Sequence, residues 1–152
     1  MKIFSAFQDN DYFSDNTVCS DNAEDLDNSY DLLLLWGGED ISPSIYGQKP
    51  VYTHAPIEPS KRDVQERIML DKAVELDIPI LGICRGSQMV CAHFGGSLWQ
   101  DVTGHTLGTH THSIYTMTGD TIKVTSTHHQ MMIPSEGMVL VGWSKGLATE
   151  KR

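Results

Sequence analysis

The chain has 152 residues, 20 Asp and Glu against 11 Lys and Arg, and a formal net charge of −9. That length suits a single domain, residues 1–152, with room for a proper core, and the acidic balance argues against a nucleic-acid binder, which needs a basic patch. Cys19, Cys84 and Cys91 form an odd set without framework spacing, Met1–Ser5 opens no apolar signal segment, and no apolar run reaches membrane-spanning length. A reducing, cytoplasmic setting away from the membrane is therefore expected.

In chain order, residues 2–7 read as a first strand. Residues 8–30 are polar and acidic, with turn signals at Asn10-Asp11, Ser14-Asp15-Asn16 and Ser20-Asp21-Asn22, and a short helix is expected near residues 23–29. The run Asp31-Leu32-Leu33-Leu34-Leu35-Trp36 reads as a buried parallel strand that opens into Gly37-Gly38. Residues 39–60 form a long loop with four prolines. Ser60 is an N-cap candidate for a helix over residues 61–76, with Val64, Ile68, Met69, Ala73 and Leu76 as its apolar face. Asp77-Ile78-Pro79 ends that helix and leads into Ile80-Leu81-Gly82-Ile83, so the unit is strand–helix–strand with a parallel pair.

A helix follows over residues 87–94 and stops at Gly95-Gly96. Residues 97–102 suggest a short strand or turn, and residues 104–112 a histidine-rich loop. Residues 113–117 and 121–125 read as a hairpin around Gly119-Asp120, His128-His129-Gln130 as a loop, residues 138–143 as a strand, and residues 146–149 as the beginning of another.

Chemistry concentrates at Gly82-Ile83-Cys84-Arg85-Gly86. A cysteine between two glycines, at the joint of a strand and a helix, has the pattern of a nucleophile elbow. Small flanking residues let strand and helix approach, and the helix start favours thiolate over thiol. The pentapeptide alone fits a buried structural cysteine as well as a nucleophile. Gly37-Gly38 fits a plain turn, or a backbone donor for an oxyanion alongside the N–H of Arg85. Both features fall at carboxyl ends of predicted parallel strands, so they should meet in one crevice. Of seven histidines, five lie between His105 and His129. Their spacings match no helical ligand pair and no carboxylate or cysteine cluster joins them, so loop histidines are favoured over a metal site.

Four ordered segments resemble the class I glutamine amidotransferase-like superfamily, and within it the γ-glutamyl-γ-aminobutyrate hydrolase-like branch, peptidase family C26. Leu34 to Pro43 with Tyr46-Gly47 resembles P-G-G-x-D-[IV]-x-P-x-x-Y-G. Pro79 to Gln88 resembles P-[IV]-L-G-I-C-R-G-x-Q. Gly95 to Asp101 resembles G-G-[ST]-L-x-Q-D, and Ser126 to Gln130 resembles N-S-x-H-H-Q. The resemblance implies a flavodoxin-like α/β fold, an open, mostly parallel sheet with helices on both faces. It implies that Cys84 attacks a γ-glutamyl or glutamine amide and forms a γ-glutamyl thioester. Gly37 or Gly38 with Arg85 would supply oxyanion N–H groups, and Gln88, Thr127, His128, His129 and Gln130 would hold the glutamyl end. No cofactor and no metal are implied. The partner is a small-molecule substrate. Arg85 after the cysteine disfavours a synthase partner, and a homo-oligomer is compatible with the sequence.

Two departures bear on activity. Trp36 stands where the family has proline and is expected to reshape the pocket lip. The family's catalytic H-P-E motif has no counterpart in these residues, which contain no H-x-E, so the C-terminal part of the domain is expected to be missing. Either the chain is a short form of a γ-glutamyl hydrolase, or it is a non-catalytic binding module that keeps the elbow. His128 or His129 is a candidate replacement base.

Overall fold

The computed structural model describes residues 1–51, 53–103, 105, 111–144, 150 and 151. Its centre is a parallel four-stranded sheet. β1 (Ile3–Ala6) lies between β2 (Thr17–Ser20) and β3 (Leu32–Leu35), and β4 (Ile80–Gly82) pairs with β3. Ile3 faces Thr17 and Leu32, and Leu35 faces Gly82. All four β1 residues are buried, as are Leu33, Leu34 and Leu35, which is why this run is uniformly apolar.

β2 was not expected within the acidic stretch. It is an edge strand whose Val18 and Cys19 are exposed, so no apolar run marks it. The helix expected near residues 23–29 is reduced to one 3-10 turn, Ala23–Asp25, where the Asn22 side chain accepts a bond from the Glu24 amide at 3.2 Å.

α1 (Lys61–Glu75) starts on a capping box. Ser60 Oγ accepts from the Asp63 amide at 3.0 Å, and Asp63 Oδ2 accepts from the Ser60 amide at 2.9 Å. The buried face differs from the expected one. Val64 and Ile68 are exposed, whereas Met69, Leu70 and Ala73 are buried together with Asp63 and Glu66. Two acids on the inner face rotate the helix away from its simple hydropathy pattern, because each has a buried cationic partner. Arg85 Nη2 donates to Asp63 Oδ1 at 2.5 Å, and Arg85 Nη1 donates to Glu66 Oε2.

α2 (Arg85–His93) follows β4 and packs against α1, β3 and β4. The core gathers Phe4, Leu33, Leu35, Ile41, Met69, Leu70, Met89 and Leu98, all wholly buried. β5 (Ser97–Trp99) then pairs antiparallel with β9 (Met131–Ile133), a strand not expected after the histidine loop. β6 (Asp101–Val102) pairs with β11 (Glu150–Lys151). β7 (Thr111–Thr116) and β8 (Thr121–Thr125) form the expected hairpin, turned at Gly119 with φ of 89°. The strand expected over residues 138–143 is the shorter β10 (Gly142–Ser144), paired with β7. The element expected at residues 146–149 and most of the loop over residues 104–112 lie outside the described residues. Among the described residues, no helix is long and apolar enough to cross a membrane.

Candidate active site

The β4–α2 junction shows why this sequence needs its glycines. A Cβ on Gly86 would sit 2.3 Å from the Leu35 carbonyl oxygen, and one on Gly82 would sit 2.6 Å from the Gly86 carbonyl. Backbone meets backbone at both contacts, so neither can yield to a side chain. Between them Cys84 adopts φ 54° and ψ −114° at the N-cap of α2. A non-glycine residue held in that region is strained and persists only when its surroundings enforce it. Here the enforcement comes from the Ile83 amide bonded to Leu35 O (2.9 Å), Gly86 N–H to Ile83 O (2.9 Å) and Gln88 N–H to Cys84 O (3.1 Å). The Cys84 side chain is exposed at the open end of the helix. The Arg85 amide lies in the first turn, where no acceptor exists four residues earlier.

The glycine turn after β3 reaches the same point. A Cβ on Gly37 would lie 3.4 Å from Cys84 Cβ, so the Gly37 backbone abuts the cysteine, as expected for two strand ends in one crevice. Arg62, from α1, holds this turn in place. It donates to Trp36 O at 2.9 Å and Gly37 O at 3.1 Å, while its Nε donates to Glu66 Oε1 at 2.7 Å. Gly38 has φ of 151°, and a Cβ there would strike Arg62 Nη1 at 2.5 Å. The chain Gly37–Arg62–Glu66–Arg85 therefore couples the glycine turn to the elbow through α1.

A cavity of about 540 Å³ opens over the cysteine. Gly38, Glu39, Asp40, His54, Ala55, Pro56, Cys84, Gln88, Thr127, His128 and His129 line it. A second cavity of about 420 Å³ shares Gly38, Glu39, Asp40 and Pro56 and extends towards Lys61 and Arg62. Trp36 does not line the main cavity: its Nε1 donates to Ser5 Oγ at 2.8 Å, and its ring lies against Phe13 with centroids 6.0 Å apart.

The expected glutamyl-end residues divide into two groups. Gln88, Thr127, His128 and His129 face the cavity. Gln130 is wholly buried behind it. Its Oε1 accepts from the Ile41 amide at 2.9 Å, and its Nε2 donates to Ile41 O at 2.8 Å and to Tyr46 Oη at 3.4 Å. Gln88 Nε2 donates to Gln130 O at 2.7 Å. Gln130 thus laces three segments together: the loop after β3, the loop before β9, and α2. Gln100 acts similarly on the loop that leads to His54, bonding Val51 N, Gln48 Oε1 and Lys49 O.

The histidines form two groups as well. His128 Nδ1 shares a 2.8 Å bond with Gln130 O, and its ring lies 4.8 Å from that of His105, which lies 4.9 Å from that of His112. Burial lowers the pKa of His128 and of His105, so both imidazoles are held towards the neutral form. His129 instead meets a carboxylate, with Nδ1 3.5 Å from Asp40 Oδ2, and its ring lies 4.6 Å from that of His54. Burial raises the pKa of Asp40, and the neighbouring imidazoles of His129 and His54 only partly offset the rise. Among the described residues, no group of three His, Cys, Asp or Glu side chains could hold a metal ion.

Asp40, His54, Arg62, Asp63 and Glu66 were not singled out from the sequence. Asp40 sits inside the Gly37-Gly38-Glu39-Asp40 motif, which was the available signal for it. The others reach the site from a proline-rich loop and a helix with no pattern of their own.

A parallel sheet, a strained cysteine elbow and a glycine turn beside it define a glutamine amidotransferase-like α/β protein. The Peptidase C26 family matches residues 17–144, and the chain belongs to that family. The chain is 41% identical over 73 residues to a glutamine amidotransferase-like protein, the YvdE homolog of Lactococcus lactis subsp. cremoris, covering 48% of this chain and 38% of that protein. It is 33% identical over 126 residues to a Mycobacterium tuberculosis protein described as a glutamine amidotransferase, covering 71% of this chain and 41% of that one. It is 32% identical over 66 residues to the γ-glutamyl-CDP-amidate hydrolase of Campylobacter jejuni, covering 43% of this chain and 28% of that enzyme. The chain thus spans less than half the length of each of these three relatives.

Among solved structures, a GMP synthase component from Thermoplasma acidophilum superposes with a TM-score of 0.67 at 19% identity, covering 95% of this chain and 74% of that one. A glutamine amidotransferase of Thermotoga maritima gives 0.64 at 15% identity, covering 95% and 67%. The shared fold is the flavodoxin-like α/β arrangement.

Proposed function

We propose that the protein hydrolyses γ-glutamyl amide bonds through a thioester on Cys84. The observation that carries this reading is the strained Cys84, placed at the start of α2 against the Gly37 backbone and lining a cavity shared with Gln88, Thr127 and His128. A thiolate there gains from the positive end of the helix and faces backbone donors on two sides. Its sulfur attacks the γ-carbonyl, and the oxyanion that develops is met by the Arg85 N–H and by an N–H of the Gly37-Gly38 turn. The amide C–N bond then breaks, the amine leaves with a proton, and water cleaves the thioester to release glutamate. Gln88, Thr127 and His128 supply the polar wall that receives the glutamyl end. The name of the Campylobacter jejuni relative, a γ-glutamyl amidate hydrolase, supports the same substrate class.

The test is amine release from a panel of γ-glutamyl amides, glutamine included. Turnover that disappears in Cys84→Ser is the expected result. Saturable binding of these amides with no turnover by the unaltered chain would instead identify a binding module and overturn the hydrolase reading.

A further inference from the structure

We infer that Arg62 is a positioning residue for the oxyanion site: its guanidinium clamps the carbonyls of Trp36 and Gly37, and this aims the amides of Gly37 and Gly38 at the oxygen of an acyl group on Cys84. The inference rests on the hydrolase reading and supplies what orients one side of its oxyanion site.

Peptide geometry carries the argument. In a trans peptide the C=O and the N–H point in opposite directions, and no cis peptide occurs among the described residues. Trp36 O shares its peptide with the Gly37 N–H, and Gly37 O shares its peptide with the Gly38 N–H. Arg62 Nη2 donates to Trp36 O at 2.9 Å and Nη1 to Gly37 O at 3.1 Å, so two consecutive carbonyls face one guanidinium. Both amides are therefore turned away from Arg62. Neither has a backbone acceptor among the described residues. Successive amides directed to one side make a concavity suited to an anion. The turn that holds them abuts the elbow, since a Cβ on Gly37 would lie 3.4 Å from Cys84 Cβ and 3.8 Å from Cys84 Sγ.

Glycine leaves this turn free to rotate, with Gly38 at φ of 151°, so its peptides have to be fixed from outside. The planar fork of Arg62 does so with two donors at once. The fork is itself immobilised. Its Nε donates to Glu66 Oε1 at 2.7 Å, Glu66 is wholly buried and bonded to Arg85 Nη1, and the guanidinium carbon lies 5.5 Å from the centre of the Phe7 ring. A positive charge on the carbonyl side also polarises both peptides, which strengthens their N–H groups as donors.

When the Cys84 sulfur attacks an acyl carbonyl, the S–C bond forms and the C=O electron pair moves onto oxygen. The aimed amides and the Arg85 N–H meet that oxyanion. Its collapse restores the C=O and expels the leaving group. Arg62 touches none of the reacting atoms and acts through the turn.

The experiment compares two reactions of Cys84 in the 152-residue chain, each followed by peptide mass spectrometry. Acylation by the mono-p-nitrophenyl ester of glutaric acid passes through an oxyanion, and its p-nitrophenolate leaves without a proton. Alkylation by iodoacetamide displaces iodide and develops no oxyanion. At a pH of about 8.5 an ordinary thiol is half ionised, so neither reaction needs a base. The ratio of acylation to alkylation rate at Cys84 therefore reads oxyanion stabilisation, while a change in thiolate content alters both rates alike. Alkylation of the buried Cys91 reports loss of the fold.

Removing one donor from an oxyanion hole slows the reaction by about 10²–10³-fold. In Arg62→Met the donors stay but lose their aim, so the ratio falls by about tenfold to a hundredfold. Arg62→Lys keeps the stem and the charge but not the fork, and its ratio falls less. It decides the question if Arg62→Met exposes Cys91. Lys72→Met, on the same helix but bonded to Ala23 O and Glu24 O, leaves the ratio unchanged. If the ratio at Cys84 exceeds that at Cys19 and neither Arg62 variant lowers it while Cys91 stays protected, the clamp is overturned and the nucleophile reading stands. If the ratio at Cys84 in the unaltered chain is no higher than at Cys19, the clamp and the hydrolase reading fall together.

Discussion

Replacing Arg85 by Met tests whether a buried ion network, rather than apolar packing, joins the two helices behind the elbow. The Arg85 side chain is 2% exposed, and the carboxylates it bridges, on Asp63 and Glu66, are 1% and 0% exposed. Solvent screening is absent for such groups, and removing one partner strands the others. Loss of one member of a buried pair typically costs about 3–5 kcal/mol. Two residual contacts place this case at the low end. Glu66 keeps Arg62 at 2.7 Å, and Asp63 keeps the Ser60 amide at 2.9 Å. The working figure is therefore about 3 kcal/mol, which for a domain of this size lowers the thermal midpoint by about 6–12 °C. Arg85→Lys retains one point charge that serves one carboxylate, and it falls between the two. Urea and thermal unfolding followed by far-UV circular dichroism measure both. An Arg85→Met protein within about 1 kcal/mol of the unaltered chain would refute the network as the element that holds α1 to α2.

Two further predictions come from the same geometry. Gly86→Ala drives a Cβ to 2.3 Å from the Leu35 carbonyl oxygen; separation of β3 from α2 then costs about 3 kcal/mol or more, measured by urea unfolding. Stability also falls on mild acidification. His93, His105 and His128 have pKa values lowered first by burial, so the unfolded chain takes up protons before the folded one. Their contribution is complete above the free imidazole pKa of about 6.5 and is lost as pH falls through the lower folded values, which urea midpoints taken on both sides of that value will show.

The parts of this fold that rest on local patterns were legible from the sequence. The four leucines of β3, the Ser60 cap and the Gly119 turn each carry their cause within a few residues. The elbow glycines were legible too, although the reason they are required, backbone packing against Leu35, is long-range. β2 escaped because an exposed edge strand needs no apolar run. The inner face of α1 was misplaced because periodicity weighs Asp63 and Glu66 as solvent-facing, and only the arrival of Arg85 on the next helix makes them core. Gln130 shows the same limit. The motif located it beside the site, but its amide is spent on the Ile41 backbone 89 residues earlier. Asp40 and His129 are likewise joined only by tertiary folding, so neither spacing nor composition could pair them.

The central claim is that Cys84 carries the γ-glutamyl group. It is tested most directly by acid-quenching the protein during turnover of a γ-glutamyl amide and mapping adducts by peptide mass spectrometry. The account predicts a γ-glutamyl adduct on the peptide that holds Cys84, absent in Cys84→Ser and removed by hydroxylamine. Turnover with no adduct on Cys84, or with the adduct on Cys19 or Cys91, would contradict it.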